Sequence, residues 1–119
     1  MSTLNVANIT DGTDTVETGY VVNGSAKAWV KANVSGVASN SLNISSVTDL
    51  GVGNCLASFT NSMANNNAVV SVSVQIAVTT PSSLSAASAS TASTQIVNYV
   101  NSSLSDPVTN YAQVQGDLA

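Results

Sequence analysis

The feature that most constrains the fold is a strict alternation between Ala68 and Thr79. Along an extended chain, Val70, Val72, Val74, Ile76 and Val78 point one way, and Val69, Ser71, Ser73, Gln75 and Ala77 point the other. Because successive side chains of a β-strand lie on opposite faces, the alternation predicts a long strand with one face buried.

Strand signals recur along the rest of the chain. Strands are predicted at Tyr20–Asn23 leading into Gly24–Val34, around Leu42, Ile44 and Val47, at Cys55–Thr60, at Ser93–Asn101 and at Val108–Gln115. A turn is predicted at Asp49–Asn54, and loops are predicted at Asn61–Asn67 and at the Ser- and Ala-rich stretch Pro81–Ala92. About seven strands and no apolar stripe at helical spacing predict an all-β fold, an antiparallel β-sandwich over residues 20–119.

The stretch Gly24–Lys31 holds the only Trp and the only two cationic side chains. Read as a strand, it places Ala26, Ala28 and Val30 on one face and Lys27, Trp29 and Lys31 on the other. The first face is small and apolar and is expected to pack inward. The second is expected at a rim or a contact with another subunit, since Lys is almost never buried unpaired. A sugar-stacking patch at Lys27 and Trp29 is the less favoured alternative.

The composition limits the classes of partner that the chain is expected to bind. Charged residues are only 7% of the 119 residues, and the formal net charge is −4, which argues against nucleic acid and anionic membrane surfaces. The apolar residues are mostly Val and Ala, with a single Phe. A core of such small side chains offsets chain entropy poorly, so oligomerisation is expected to stabilise the fold.

Residues 1–19 differ from the rest of the chain. They hold Asp11, Asp14 and Glu17, half of all the acids, and few apolar residues, of which Leu4, Val6 and Ile9 are the candidate anchors. The pattern predicts an extended N-terminal arm with a short strand near Leu4–Ile9. Two interpretations stay open, a frayed terminus and a docking peptide that orders on a larger assembly.

Few residues are suited to catalysis or metal binding. The chain has no His and one cysteine, Cys55, which is expected to be a small buried residue. The arm's three acids are the best calcium candidate, but they are not clustered enough to predict a site. We expect no enzyme activity, no cofactor and no metal. The N-terminus lacks the basic and apolar regions of a signal peptide, so synthesis without secretion by that route is expected.

One string of motifs resembles a known module. The string runs Gly24-Ser25-Ala26-Lys27-Ala28-Trp29-Val30, then Asn33 and Gly36, then Ser41-x-Asn43-x-Ser45-Ser46-Val47-Thr48-Asp49-x-Gly51-x-Gly53, then Phe59-Thr60-x-x-Met63. It resembles a module of bacteriophage fibre proteins, found in tail fibres and related virion appendages. The closing segment from Asp106-Pro107 to Gly116 is similar to that module's last strand. The chain departs from the pattern, which usually has an aromatic residue where Ala32 stands and a Tyr where Cys55 stands. The acidic and basic residues of the pattern around Gly36–Ser41 are also missing here.

The resemblance implies a non-enzymatic β-domain that assembles as a homotrimer on a virion, after synthesis in the cytoplasm of the bacterial host. The leading hypothesis is a short head fibre, capsid decoration protein or tail accessory protein. Leu4, Val6 and Ile9 would dock the arm on a capsid or tail protein, and Lys27, Trp29 and Lys31 would meet a neighbouring subunit. The alternative is a tail fibre module that binds a host receptor or glycan.

Overall fold

The computed structural model describes residues 1–33, 35–75, 83–100 and 102–119. In this part of the chain, eleven strands and one short helix confirm the predicted all-β class. The elements are β1 (Asn8–Thr10), β2 (Thr15–Glu17), α1 (Thr18–Gly24), β3 (Ala26–Asn33), β4 (Ala38–Leu42), β5 (Ile44–Gly51), β6 (Asn54–Phe59), β7 (Val69–Gln75), β8 (Ser83–Ala89), β9 (Ser93–Val100), β10 (Ser103–Leu104) and β11 (Thr109–Gln115).

Nine of these strands form two larger sheets, and the pairings are antiparallel. One sheet has the order β4-β3-β11-β7. The other has the order β5-β6-β9, with β8 and β10 also paired to β9. The remaining two strands, β1 and β2, form a separate hairpin. In the first sheet, β3 and β11 are the inner strands, so their outer faces form the middle of one surface of the molecule.

The core lies where the two larger sheets share buried side chains. One cluster joins Val30, Ala32 and Ala112 of the first sheet to Cys55, Ala57 and Ile96 of the second. A second cluster joins Ala28 and Val114 to Phe59 and Met63. Four of these ten residues are Ala, so the core is light, as the composition predicts. The alternation within β3, β6 and β11 places the small apolar residues in this core.

The long alternating strand is confirmed over its described part. In β7, Val70, Val72 and Val74 are half-buried, while the residues between them are exposed. Ile76 and Val78 lie outside the described residues, as do Val34 and Asn101 at the ends of two other predicted strands. The predicted inward face of Cys55, Ala57 and Phe59 in β6 is also confirmed.

Two local predictions are wrong. The strand predicted at Tyr20–Asn23 is the helix α1, although Tyr and Val favour strands. It buries no side chain, and at its end the Ser25 N–H donates to the Val21 carbonyl at 3.2 Å. Within the stretch predicted as a loop at Pro81–Ala92, residues 83–89 form β8, which pairs along the edge of β9. Ser and Ala are weak strand formers, so the ladder to β9 determines this structure.

A third difference is a turn within the strand predicted around Leu42–Val47. Asn43 adopts a left-handed conformation, with φ of 55°, and separates β4 from β5. Its side chain accepts a hydrogen bond from the Asn61 N–H at 2.7 Å and donates one to the Asn61 carbonyl at 3.0 Å. Asn tolerates this backbone conformation better than most residues, and these bonds hold it there.

Candidate functional site

The outer face of β3 is where the sequence places the candidate contact residues. Ala28 and Val30 are buried, Trp29 is half-buried and Lys31 is exposed. The predicted register of this strand is therefore confirmed: the small apolar residues point inward and the Trp and Lys side chains point outward.

Lys27 is not grouped with the other two candidates. Its Nζ donates to the carbonyl oxygens of Val22 and Ser25, and to the Ser25 hydroxyl at 2.5 Å. These groups lie at the C-terminal end of α1, where a cation interacts favourably with the helix dipole. Lys27 thus holds the short helix against the start of β3, which is a structural role that the sequence did not indicate.

Trp29 and Lys31 instead lie in a cleft with residues from the neighbouring strands. The cleft has a volume of about 490 Å³ and lies over the middle of the β4-β3-β11-β7 sheet. In the register between β3 and β11, Lys31 faces Tyr111 and Trp29 faces Gln113. The Lys31 Nζ lies 5.7 Å from the centre of the Tyr111 ring, within the range of a cation–π interaction.

The rest of the cleft is lined by short polar side chains. Asn40 comes from β4, opposite Lys31, and Ser71 and Ser73 come from β7, opposite Gln113 and Tyr111. All three are exposed. They supply amide and hydroxyl groups that can both donate and accept hydrogen bonds. The sequence did not single out Tyr111 or these polar residues, because their position beside Trp29 depends on pairings between distant segments.

The N-terminal segment, residues 1–24, is the second candidate site. Leu4, Val6 and Ile9 are exposed by 81%, 38% and 45%. Every other large apolar side chain of this segment is exposed as well: Met1, Val16, Tyr20, Val21 and Val22. The segment is not extended throughout, because β1, β2 and α1 fold residues 8–24 into a hairpin and a helical turn.

Hydrogen bonds order this segment from within. The Asp11 carboxylate accepts from the backbone N–H groups of Thr13 and Asp14 at 3.0 and 2.9 Å, which shapes the hairpin turn. These backbone hydrogen bonds lower the pKa of Asp11 below its usual range. The Thr18 hydroxyl donates to the Val6 and Ala7 carbonyls. Asp11 is thus a turn-forming residue.

A buried polar chain crosses the core between the two larger sheets. The Asn98 side chain of β9 donates to the Asn110 side chain of β11 at 2.8 Å, and Asn110 donates to the Cys55 sulfur at 3.7 Å. Burial, followed by the nearby charge of Asp49, raises the pKa of Cys55. The thiol is therefore kept protonated and enclosed, which is the opposite of what a nucleophilic cysteine needs.

The described residues offer little else for chemistry. They contain no group of three or more His, Cys, Asp or Glu side chains placed to hold a metal ion. In the same part of the chain, no helix is long and apolar enough to cross a membrane. The candidate sites are therefore two surfaces, the cleft over Trp29 and the N-terminal segment. No protein-family model, curated protein or solved structure matches the chain.

Proposed function

We propose that this protein is a non-enzymatic structural component of a phage virion that attaches to the particle through its N-terminal segment. It would be a short head fibre, a capsid decoration protein or a tail accessory protein. The observation that carries the proposal is the exposure of the segment's apolar side chains, which include Leu4, Ile9 and Tyr20. A concentration of exposed apolar side chains in one short segment is typical of a site that another protein covers.

The composition of the segment indicates the kind of surface that it meets. Residues 1–24 contain Asp11, Asp14 and Glu17 and no Lys or Arg. A complementary surface therefore offers apolar pockets for Leu4, Val6 and Ile9 with basic side chains around them. The hairpin also leaves strand edges for backbone pairing, a common mode of peptide docking.

The same proposal includes the oligomeric state. The two larger sheets are proposed to pack as a β-sandwich, and three such domains are proposed to form a homotrimer, as the resemblance to fibre modules implies. The light core supports this, because an alanine-rich core stabilises a single chain weakly. Native mass spectrometry measures the stoichiometry directly, and a stable monomer at micromolar concentration contradicts this part of the proposal.

The attachment is tested with point variants of the full chain, because the three side chains to be changed are exposed and lie outside the buried core. The combined variant Leu4→Ser, Val6→Ser and Ile9→Ser removes the three proposed anchors. Burying each of the three anchors contributes on the order of 1–2 kcal/mol, so we expect binding to parent phage particles that lack the protein to weaken by at least about 100-fold. Binding is measured by co-sedimentation with those particles.

The matched control changes three exposed apolar side chains in another part of the chain. Val37, Val52 and Val108 are exposed by 59%, 60% and 42% and lie outside the N-terminal segment. Changing these three to Ser is expected to leave particle binding within a factor of two. If the control variant loses binding as strongly as the anchor variant, the N-terminal segment is not the attachment site.

A second candidate function is a module that binds a host receptor or glycan. The observation that favours it is the cleft over Trp29 and Tyr111, in which aromatic, amide and hydroxyl groups converge. The two functions are compatible, since the cleft and the N-terminal anchors use different residues.

A further inference from the structure

We propose that the cleft over Trp29 and Tyr111 is a binding site for an oligosaccharide, with a preference for chains that carry acidic groups. This inference rests on the second candidate function and names its site and its ligand class. It does not depend on attachment to a virion.

The two rings are placed to contact successive sugar units. Tyr111 faces Lys31 across β3 and β11, so it is the diagonal neighbour of Trp29 in the same sheet. Diagonal neighbours of this kind lie about 7–8 Å apart, within reach of large side chains. Trp and Tyr offer rigid apolar faces at low cost in conformational entropy, which suits the flat CH-bearing face of a pyranose ring.

The polar side chains around the rings match the other surface of a sugar. Gln113 lies beside Trp29, Ser73 lies beside Tyr111, and Asn40 lies beside Lys31. These amides and hydroxyls can pair with sugar hydroxyls, which also donate and accept hydrogen bonds. A shallow cleft with apolar rings and a few convergent polar groups is the general form of a small-ligand site.

The same polarity distinguishes this face from a subunit interface. The core of a permanent interface resembles a protein interior and is depleted in polar groups such as Ser and Lys. Here Lys31, Ser71 and Ser73 border the two rings. A bound peptide strand is disfavoured as well, because β3 and β11 are inner strands whose backbone groups pair with their neighbours.

Lys31 supplies the preference for acidic sugars. The chain has two cationic side chains, and Lys27 is engaged at the end of α1. Lys31 is exposed, and among the residues that the structure describes, those that line the cleft with it include no Asp or Glu. A carboxylate or sulfate on the sugar chain can therefore pair with the Lys31 ammonium without competition from a protein carboxylate inside the cleft.

The single Trp makes the test specific to this site. Trp29 is the only Trp of the chain, so a change in intrinsic fluorescence on adding a saccharide reports on the cleft. The probes are hexasaccharides of alginate and hyaluronan, which are acidic, and cellohexaose, which is neutral. Ring stacking tolerates differences between sugars, so we expect all three to bind the full-length protein, with the acidic chains at least fivefold tighter.

Two matched pairs of variants assign the residues. Tyr111→Ser is expected to weaken binding of each saccharide at least tenfold. Tyr20→Ser removes an exposed ring that does not line the cleft, and it is expected to change saccharide binding by less than twofold. Lys31→Gln is expected to remove the preference for acidic chains, while Lys27→Gln, with the same change in net charge, keeps it. Circular dichroism and thermal melting check that each variant is folded.

Several results overturn the proposal. One is the absence of a fluorescence response to all three saccharides at millimolar concentration. Another is an equal loss of saccharide binding in Tyr111→Ser and Tyr20→Ser. Poor quenching of Trp29 by acrylamide in the native oligomer also overturns it, because the cleft is then covered by another subunit. Failure of the attachment function gives a different result: the anchor variant then still binds the particles, whereas saccharide binding is measured on free protein and does not depend on that outcome.

Discussion

The buried amide pair between the two larger sheets gives the sharpest stability prediction. Asn98 and Asn110 are exposed by only 2% and 3%, and their side chains are joined by a hydrogen bond of 2.8 Å. The change Asn110→Ala removes the acceptor of the Asn98 amide N–H and leaves a cavity beside Cys55. Losing a hydrogen bond to a buried amide costs about 1–3 kcal/mol, and the lost packing adds about 1 kcal/mol. We therefore expect a loss of about 2–4 kcal/mol in the free energy of unfolding.

The assay is urea unfolding, followed by Trp29 fluorescence and by far-UV circular dichroism at one fixed protein concentration. A fixed concentration is needed because the stability of an oligomer depends on it. The double variant Asn98→Ala and Asn110→Ala has neither amide, so its loss should fall short of the sum of the two single losses by about 1–2 kcal/mol. Asn66→Ala, at an exposed loop position, is the control and should change stability by less than about 0.5 kcal/mol.

Two outcomes refute this reasoning. One is a loss below about 1 kcal/mol for Asn110→Ala, which means that water or another group replaces the missing acceptor. The other is strict additivity in the double variant, which means that the two amides do not stabilise each other.

Two further predictions follow from the backbone and from the thiol. Gly53 has a φ of +68°, and a Cβ there would lie 2.7 Å from the Asn98 carbonyl oxygen, so Gly53→Ala is expected to cost about 2–4 kcal/mol. Gly19→Ala, where a Cβ meets nothing within 4 Å, should leave the urea midpoint unchanged or slightly higher. Because burial raises the pKa of Cys55, its thiolate fraction at pH 8 is below that of a free cysteine, and Ellman's reagent should label the native protein about 100-fold more slowly than the unfolded protein. Comparable labelling rates contradict the buried position of this thiol.

The buried face of a strand such as β3 could be predicted from the sequence, because it depends only on the local alternation of residues along the chain. Ala28 and Val30 point inward and Trp29 and Lys31 point outward, as the order of residues along β3 indicates. The helix α1 and the strand β8 could not be predicted in this way. Local preference does not indicate either element: Tyr and Val favour a strand where α1 forms, and the Ser- and Ala-rich segment of β8 pairs along β9 although neither residue type favours strands.

The partners of Trp29 illustrate the same limit at the candidate site. The alternation of β11 does predict that Tyr111 and Gln113 share a face opposite to Ala112 and Val114. It does not predict that β11 pairs with β3, because that pairing joins segments from opposite ends of the chain. The proximity of Trp29 and Tyr111 therefore follows only from the order of the strands in the sheet. The sequence shows each residue in its own strand but does not show that the two strands are neighbours.

Two small residues of the core, Ala32 and Cys55, lie beside the buried amides. Here Ala32 pairs in register with Asn110, and the Cys55 sulfur accepts a hydrogen bond from the Asn110 side chain. The smaller residues thus border the space in which the buried amides of Asn98 and Asn110 meet. A hydrogen bond between the sheets thus lies among small side chains, and because it requires one geometry it fixes the relative position of β9 and β11 more narrowly than apolar contact does.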